Sequence, residues 1–280
     1  MRGLKGSEVG RPVTERNPAA SRFGSCWEKL DRGRKHAGEL AREIRDFCDD
    51  AKFQLEPGAS DSAEVARFQV KKMDTIPVSI ALTAGDAAHN IRSALDHFAW
   101  AAVPASAQST RTCFPVETAA TRDPASWRRH VEQRLDGASP KLISAVTVME
   151  PWEGGKDENL WAVHELDRVD KHRLVLSAAV TLGRIELHGD SWELTTVKKY
   201  TGYDPDGSLP LEPAEWTPVQ EGTVLTIPVP GPDLEGTETT LRFDIVLAEL
   251  PTLRRTAAAG AITMLADSAE KAIRRLIPLA

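Results

Sequence analysis

A chain of 280 residues, 41% hydrophobic and 27% charged, has the composition of a globular protein long enough to bury a sizeable core as one large or two smaller domains. Its formal net charge of -6 excludes a protein whose main business is coating duplex DNA, because such domains are strongly basic, and leaves room only for a local RNA site. The three cysteines, Cys26, Cys48 and Cys113, form no CxxC pair, which argues against a disulfide framework or a thiolate zinc site.

Residues 1–22 hold Arg, Lys, Gly, Pro and Asn with scarcely any large apolar side chain, and predict a weakly basic disordered tail. No signal-peptide core opens the chain and no run of about 18 apolar residues follows, so a cytoplasmic location without a membrane partner is expected. From Ser25 to Phe53, Trp27, Leu30, Ala37, Leu40, Ala41, Ile44 and Phe47 keep a helical period, with Ser25 as the expected N-cap. Pro57, Gly58 and Ser60 read as breakers. Ala66, Phe68 and Val70 then alternate with polar residues as in a half-buried strand, and Pro77 closes it.

The next helix concentrates acid-base residue types. Ile80, Ala84, Ala87, Ala88, Ile91, Leu95, Phe98 and Ala102 recur at three- and four-residue spacing and fill one side. The opposite arc, roughly 120° wide, collects Asp86, His89, Asn90, Ser93, Asp96, His97 and Trp100, with Arg92 on its shoulder. A solvent-facing arc would be expected to carry Lys, Glu and Gln, and this one has none. Short polar groups whose rotamers cost little to fix suggest a buried or half-buried lining.

Pro104 to Pro124 reads as a loop pinned by Cys113-Phe114-Pro115-Val116, followed by two short helices, Pro124 to Leu135 and Pro140 to Met149, separated by Gly137. Asp157 to Arg173 forms a second polar helix. Leu160, Val163, Leu166, Asp167, Asp170 and Leu174 share one side of it, so two carboxylates fall on the face expected to be buried. Each needs a cation, because burying a carboxylate unpaired costs several kcal/mol. Lys171, Arg173 and Arg92 are the candidates.

Strand patterns follow. Leu174 to Leu182 alternate, Ile185 and Leu187 can meet Trp192 and Leu194 across a Gly189-Asp190 turn, and 200–222 reads as a loop. Val224 to Val229 and Leu241 to Leu247 are further strands, and Pro251 to Leu276 is a closing helix. The sum is an α+β chain: one domain over 23–280, helix-rich at 23–173, strand-rich at 174–250, with a C-terminal helix at 251–277. A helical layer built on the long N-terminal and central helices should carry a mostly antiparallel sheet of about five or six strands. The early strand needs a partner from the later sheet.

Three chemistries fit these residues. In the first, the polar residues are a structural network: Arg92 and Asp96 pair at i,i+4, Asn90, Ser93 and Lys171 orient their neighbours, and the chain is a non-enzymatic binding or interaction protein. In the second, a divalent metal joins Asp86-x-x-His89 to His164-x-x-Asp167 on facing helices, making a metal-dependent hydrolase. His89 and His97, about 12 Å apart along a helix, cannot share that ion. The third needs no cofactor: an imidazole moves a proton during phosphodiester hydrolysis. Ser93 lacks a nucleophile elbow, and no phosphate-binding glycine loop is present.

Two resemblances bear on the choice. Gly85-Asp86, His89-Asn90, Arg92 and Leu95-Asp96-His97, followed by Leu166-Asp167 and Asp170-Lys171-His172-Arg173, resemble the paired motifs of an uncharacterised bacterial and phage-associated family, over roughly residues 68–180. That resemblance implies that both helices belong to one site or network. Arg92-Ser93-Ala94-Leu95-Asp96-His97 is also similar to the Arg-x4-His signature of the HEPN superfamily of helical ribonucleases and toxins, with Ser93 in place of the usual Asn, Asp or His. This implies an RNA or other phosphate-containing ligand, an Arg stabilising phosphate charge, a His transferring protons, and two sites apposed across a homodimer. As an enzyme, the chain would use His97 or His172 as the acid-base group. Arg92 and Arg173 would be anion stabilisers, and Asp96 and Asp170 orienting carboxylates.

Overall fold

The computed structural model describes residues 22–51, 53–59, 65–116, 123–173, 176, 178–188, 218–228, 238–253 and 256–280. Taken in chain order, helix α1 is Gly24–Asp50, strands β1 and β2 are Gln54–Gly58 and Val65–Lys72, and the central helix α2 is Val78–Ala102. Helices α3 (Pro124–Arg134), α4 (Pro140–Thr147) and α5 (Glu158–Arg173) precede strands β3 (Ala178–His188), β4 (Val224–Pro228) and β5 (Glu238–Leu247). Helix α6 is Ala258–Leu276, and a 3-10 turn lies on either side of it. The chain is α+β, as expected from the sequence.

Each boundary has a local cause. Asp123 caps α3 by accepting from the Ala125 and Ser126 amides, and Ser139 Oγ caps α4 by accepting from Leu142 N, both ahead of a proline at the first helical turn. Between them Gly137 adopts φ 77°, and a Cβ there would sit 2.9 Å from Ala107 Cβ, so glycine is needed twice over. Helix α1 begins one residue before the expected cap, Ser25, which makes no capping bond; Phe23 occupies the cap position.

All eight apolar positions expected on α2 are 3% exposed or less. Helix α2 is the hub of a four-helix bundle, packing on α1, α5 and α6. Its many alanines let neighbours approach closely: a Cβ on Gly33 of α1 would lie 2.8 Å from Ile91 Cγ1 and 3.3 Å from the Ala87 carbonyl oxygen. The α1–α2 pair is antiparallel, with Phe23 stacked on Phe98 at one end and Thr83 Oγ1 donating to Glu43 at the other. Arg34 ties α1 to Asp267 and Glu270 of α6, and Asn159 Nδ2 ties α5 to Ser268 of α6.

Five strands lie among the described residues, in an antiparallel ladder β1-β2-β4 and a second antiparallel ladder β3-β5. The early strand finds its later partner: β2 pairs with β4, Phe68 opposite Leu225. Residues 218–223 stitch the ladders together, Val219 N donating to Val180 O at one end and Gly222 N to Val70 O at the other.

Three boundaries differ from the sequence reading. Pro57 and Gly58 lie inside β1, an edge strand, where a proline removes no needed ladder donor. The closing helix starts at Ala258 rather than Pro251, because Ala257 is first held extended by a bridge to Val246. Strand β3 starts at Ala178, although Leu176 is buried as the alternation required. The expected Gly189-Asp190 hairpin and most of the 200–222 loop lie outside the described residues. So do residues 1–21 of the expected tail, whereas Arg22 belongs to the folded part.

Candidate functional site

The two polar helices face each other. Along α2 the sequence of contacts rises, Gly85, His89, Arg92, while along α5 it falls, Asp170, Asp167, His164, so the pair runs antiparallel.

At one end a Cβ on Gly85 would lie 2.1 Å from Asp170 Oδ1, so glycine is what lets the carboxyl lie against α2. Burial pushes the Asp170 carboxyl up, and the charges of Asp86 and Asp167 add to this. In the middle, Asp167 is 4% exposed. His89 Nδ1 donates to its Oδ1 at 2.8 Å and Lys171 Nζ to its Oδ2 at 2.6 Å, so each carboxylate oxygen has its own partner. Of the three candidate cations, Lys171 is the one on Asp167. Asn90 Nδ2 is spent within α2, on the Asp86 carbonyl, and Asp86 itself is exposed.

At the other end Arg92, 6% exposed, donates from Nη2 to Asp96 Oδ1 at 2.8 Å and to the Phe114 carbonyl at 2.9 Å. Asp96 Oδ1 accepts from the Phe114 amide at 2.9 Å. The pair therefore satisfies both backbone groups of Phe114 and pins the loop expected around 113–116. His164 is largely buried beside this guanidinium: burial, then the Arg92 charge, pushes its imidazole down to about 4, so it is neutral at physiological pH.

The polar arc does not end in this seam. Its last turn opens onto a cleft of about 720 Å³ lined by Arg22, Asp96, His97, Trp100 and Gln108. Arg22 Nε donates to Ala101 O, and Gln108 Nε2 donates to Trp100 O and Val103 O. These side chains cap the last carbonyls of α2, which fixes the floor of the cleft. Trp100 is 46% exposed. His97 is half-buried and has no hydrogen-bond or ion-pair partner among the described residues. Burial pushes the neighbouring Asp96 carboxyl up, against the pull of Arg92 and the Phe114 amide.

The expected site residues are thus divided. Asp96 and His97 line the cleft, whereas Arg92 is turned into the interior. The Arg92 guanidinium is not available to a ligand in the cleft. Asp170, Asp167, His89 and Lys171 lie in the seam, and Ser93 is half-buried on α2. His172 is exposed on α5, and Arg173 ends that helix with its side chain outside the described set. The metal set is corrected: among the described residues no three His, Cys, Asp or Glu are grouped to hold an ion. Within the expected set of Asp86, His89, His164 and Asp167, His89 meets Asp167 as a hydrogen-bonded pair, and the second Asp167 oxygen is held by Lys171.

Arg22 and Trp100 were given no role from sequence. Trp100 was legible as an oddity, a large aromatic on a polar arc; Arg22 gave no signal, since only folding brings it to the end of α2. The chain matches no protein-family model and has no significant match to a curated protein or a solved structure. No helix among the described residues is long and apolar enough to cross a membrane.

Proposed function

We propose that this protein binds single-stranded RNA or a related phosphodiester in the cleft at the end of α2 and cleaves it without a metal, His97 moving the proton. The observation that carries this reading is the placement of His97, without a partner among the described residues, in one cleft with the exposed indole of Trp100 and the cation of Arg22. An exposed indole stacks a nucleobase, a guanidinium binds the adjoining phosphate, and an imidazole takes the proton of a neighbouring hydroxyl. The ribose 2′-oxygen would attack phosphorus as its proton passes to His97, and the P–O bond to the 5′-oxygen breaks as that proton is returned to the leaving oxygen. Asp96 positions the site by holding the 113–116 loop beside it. The Arg-x4-His resemblance supports the same substrate class, with Arg22 in the anion-binding role and Arg92 in a scaffolding one.

The test is cleavage of a fluorescent single-stranded RNA in EDTA, with detection of a 2′,3′-cyclic phosphate end. Wild type is expected to cleave, His97→Ala to lose about 100-fold or more at an unchanged melting temperature, and Trp100→Ala to weaken binding about tenfold. No cleavage by wild type, or undiminished cleavage by His97→Ala, overturns the reading.

A second reading, a non-enzymatic binding protein whose motifs are wholly structural, is favoured by Asp167, each of whose carboxylate oxygens has a partner inside the fold, and by Arg92, whose Nη2 is spent on Asp96 and the Phe114 carbonyl. It predicts RNA binding that Trp100→Ala weakens, with no product from wild type.

A further inference from the structure

A second cavity, of about 740 Å³, lies away from both motif helices, between the C-terminal half of α1, the edge of the three-stranded ladder and β5. The volume is in the range of small-molecule sites, about 300–1,000 Å³. Its walls are apolar and aromatic: Phe53 and Phe243 stack with ring centroids 4.0 Å apart, and Phe68 and Leu55 continue the surface. Among the described residues the charged groups lining it are two carboxylates, Asp49 and Asp244, against one guanidinium, Arg45, an excess of one negative charge. Asp49 and Arg45 stand exposed at the rim, whereas Asp244 is half-buried among the aromatics. One Asp244 oxygen accepts from its own neighbouring amide, Ile245 N, at 2.7 Å, and no cation meets this carboxyl among the described residues. The field is felt by the adjacent thiol. Cys48 is pushed up to about 12, by burial first and then by Asp244 and Asp49. Burial likewise pushes the Asp244 carboxyl up, against the pull of the Ile245 amide.

We propose that this cavity is a binding site for a compact aromatic or alkyl amine, its apolar body against Phe53, Phe68 and Phe243 and its ammonium group on Asp244. The ammonium supplies a counter-charge that Asp244 does not find among the described residues, and a charge-assisted hydrogen bond in a half-buried setting is roughly twice as strong as a neutral one. The aromatic walls admit a ring of phenyl size and also attract the cation itself. The site is independent of the α2 cleft.

The test uses the full chain and three probes differing only in the polar group: phenethylamine, phenethyl alcohol and phenylacetate, titrated by ligand-observed NMR. Phenethylamine is expected to bind at least tenfold tighter than the alcohol, and phenylacetate not measurably. Asp244→Asn should remove the preference for the amine while leaving alcohol binding unchanged, and Ala41→Phe, which fills the cavity, should weaken both. Equal affinities for amine and alcohol, an unchanged preference in Asp244→Asn, or no amine binding to wild type overturns the proposal. Should Asp244→Asn fail to fold, the wild-type preference for the amine and the weakening of both amine and alcohol binding in Ala41→Phe decide the question: the proposal stands on both and falls without either.

Discussion

His164 shows how a single buried side chain ties the seam to pH. Its imidazole sits beside the Arg92 guanidinium and is pushed from 6.5 down to about 4 by burial and by that charge. Between those two values the unfolded chain holds a proton that the folded chain refuses. The stability linked to His164 is therefore fully present above about pH 6.5 and is lost as the pH falls through about 4. Asp96 and Asp170 act with the opposite sign: both carboxyls are pushed up, so the stability linked to them is present at low pH and lost as the pH rises through their folded values. His164→Gln is expected to reduce the acid-induced fall in melting temperature between pH 7.5 and 5, by an amount worth roughly 1–2 kcal/mol. An unchanged acid slope in the variant would assign the effect elsewhere. The need for a cation at Asp167 was legible from the α5 wheel, because helical period places a side chain on a face. The burial of His164 was not, because period says nothing about which neighbour covers the flank.

The α2–α5 contact rests on one missing side chain. Alanine in place of glycine inside a helix gains about 1 kcal/mol of propensity. A Cβ on Gly85, however, collides with the Asp170 carboxyl, so Gly85→Ala must turn that group away or part the helices. The expected net result is a loss of about 1–2 kcal/mol, comparable to other overpacked sites. Asp170→Ala in the same chain should restore most of it, and the coupling is read from a double-mutant cycle of urea unfolding. Additive losses would mean that the two residues do not meet. The long helices were legible because each keeps an apolar stripe over many turns, and all eight positions of the α2 stripe are buried. Strand β1 was not. Gln54, Glu56, Pro57 and Gly58 leave Leu55 as its one large apolar residue, so pairing with β2 rather than local pattern makes it a strand. The same limit hid Gly85, whose purpose exists only once α5 lies across it.

At the scale of the whole molecule, the bundle of α1, α2, α5 and α6 turns one polar arc into two objects: a closed seam facing α5 and an open cleft at the end of α2. The α+β class followed from the order of helical and strand patterns along the chain. The division of the arc did not, because it depends on where the 113–116 loop and Arg22 come to rest, and these are contacts across long separations in sequence. On the proposed function Arg92 holds the fold while His97 serves the ligand, and measuring thermal melting and RNA cleavage in EDTA side by side for Arg92→Met and His97→Ala separates the two roles. Removing the buried guanidinium leaves Asp96 and the Phe114 carbonyl short of a partner, at a cost of about 2–3 kcal/mol, or about 5–10 °C in a chain of this size. Arg92→Met is expected to melt lower by that amount yet still cleave RNA when assayed well below its melting temperature, and His97→Ala to melt like wild type without cleaving. An Arg92→Met protein that melts like wild type but has lost cleavage, or a His97→Ala protein that keeps it, would overturn this division of roles.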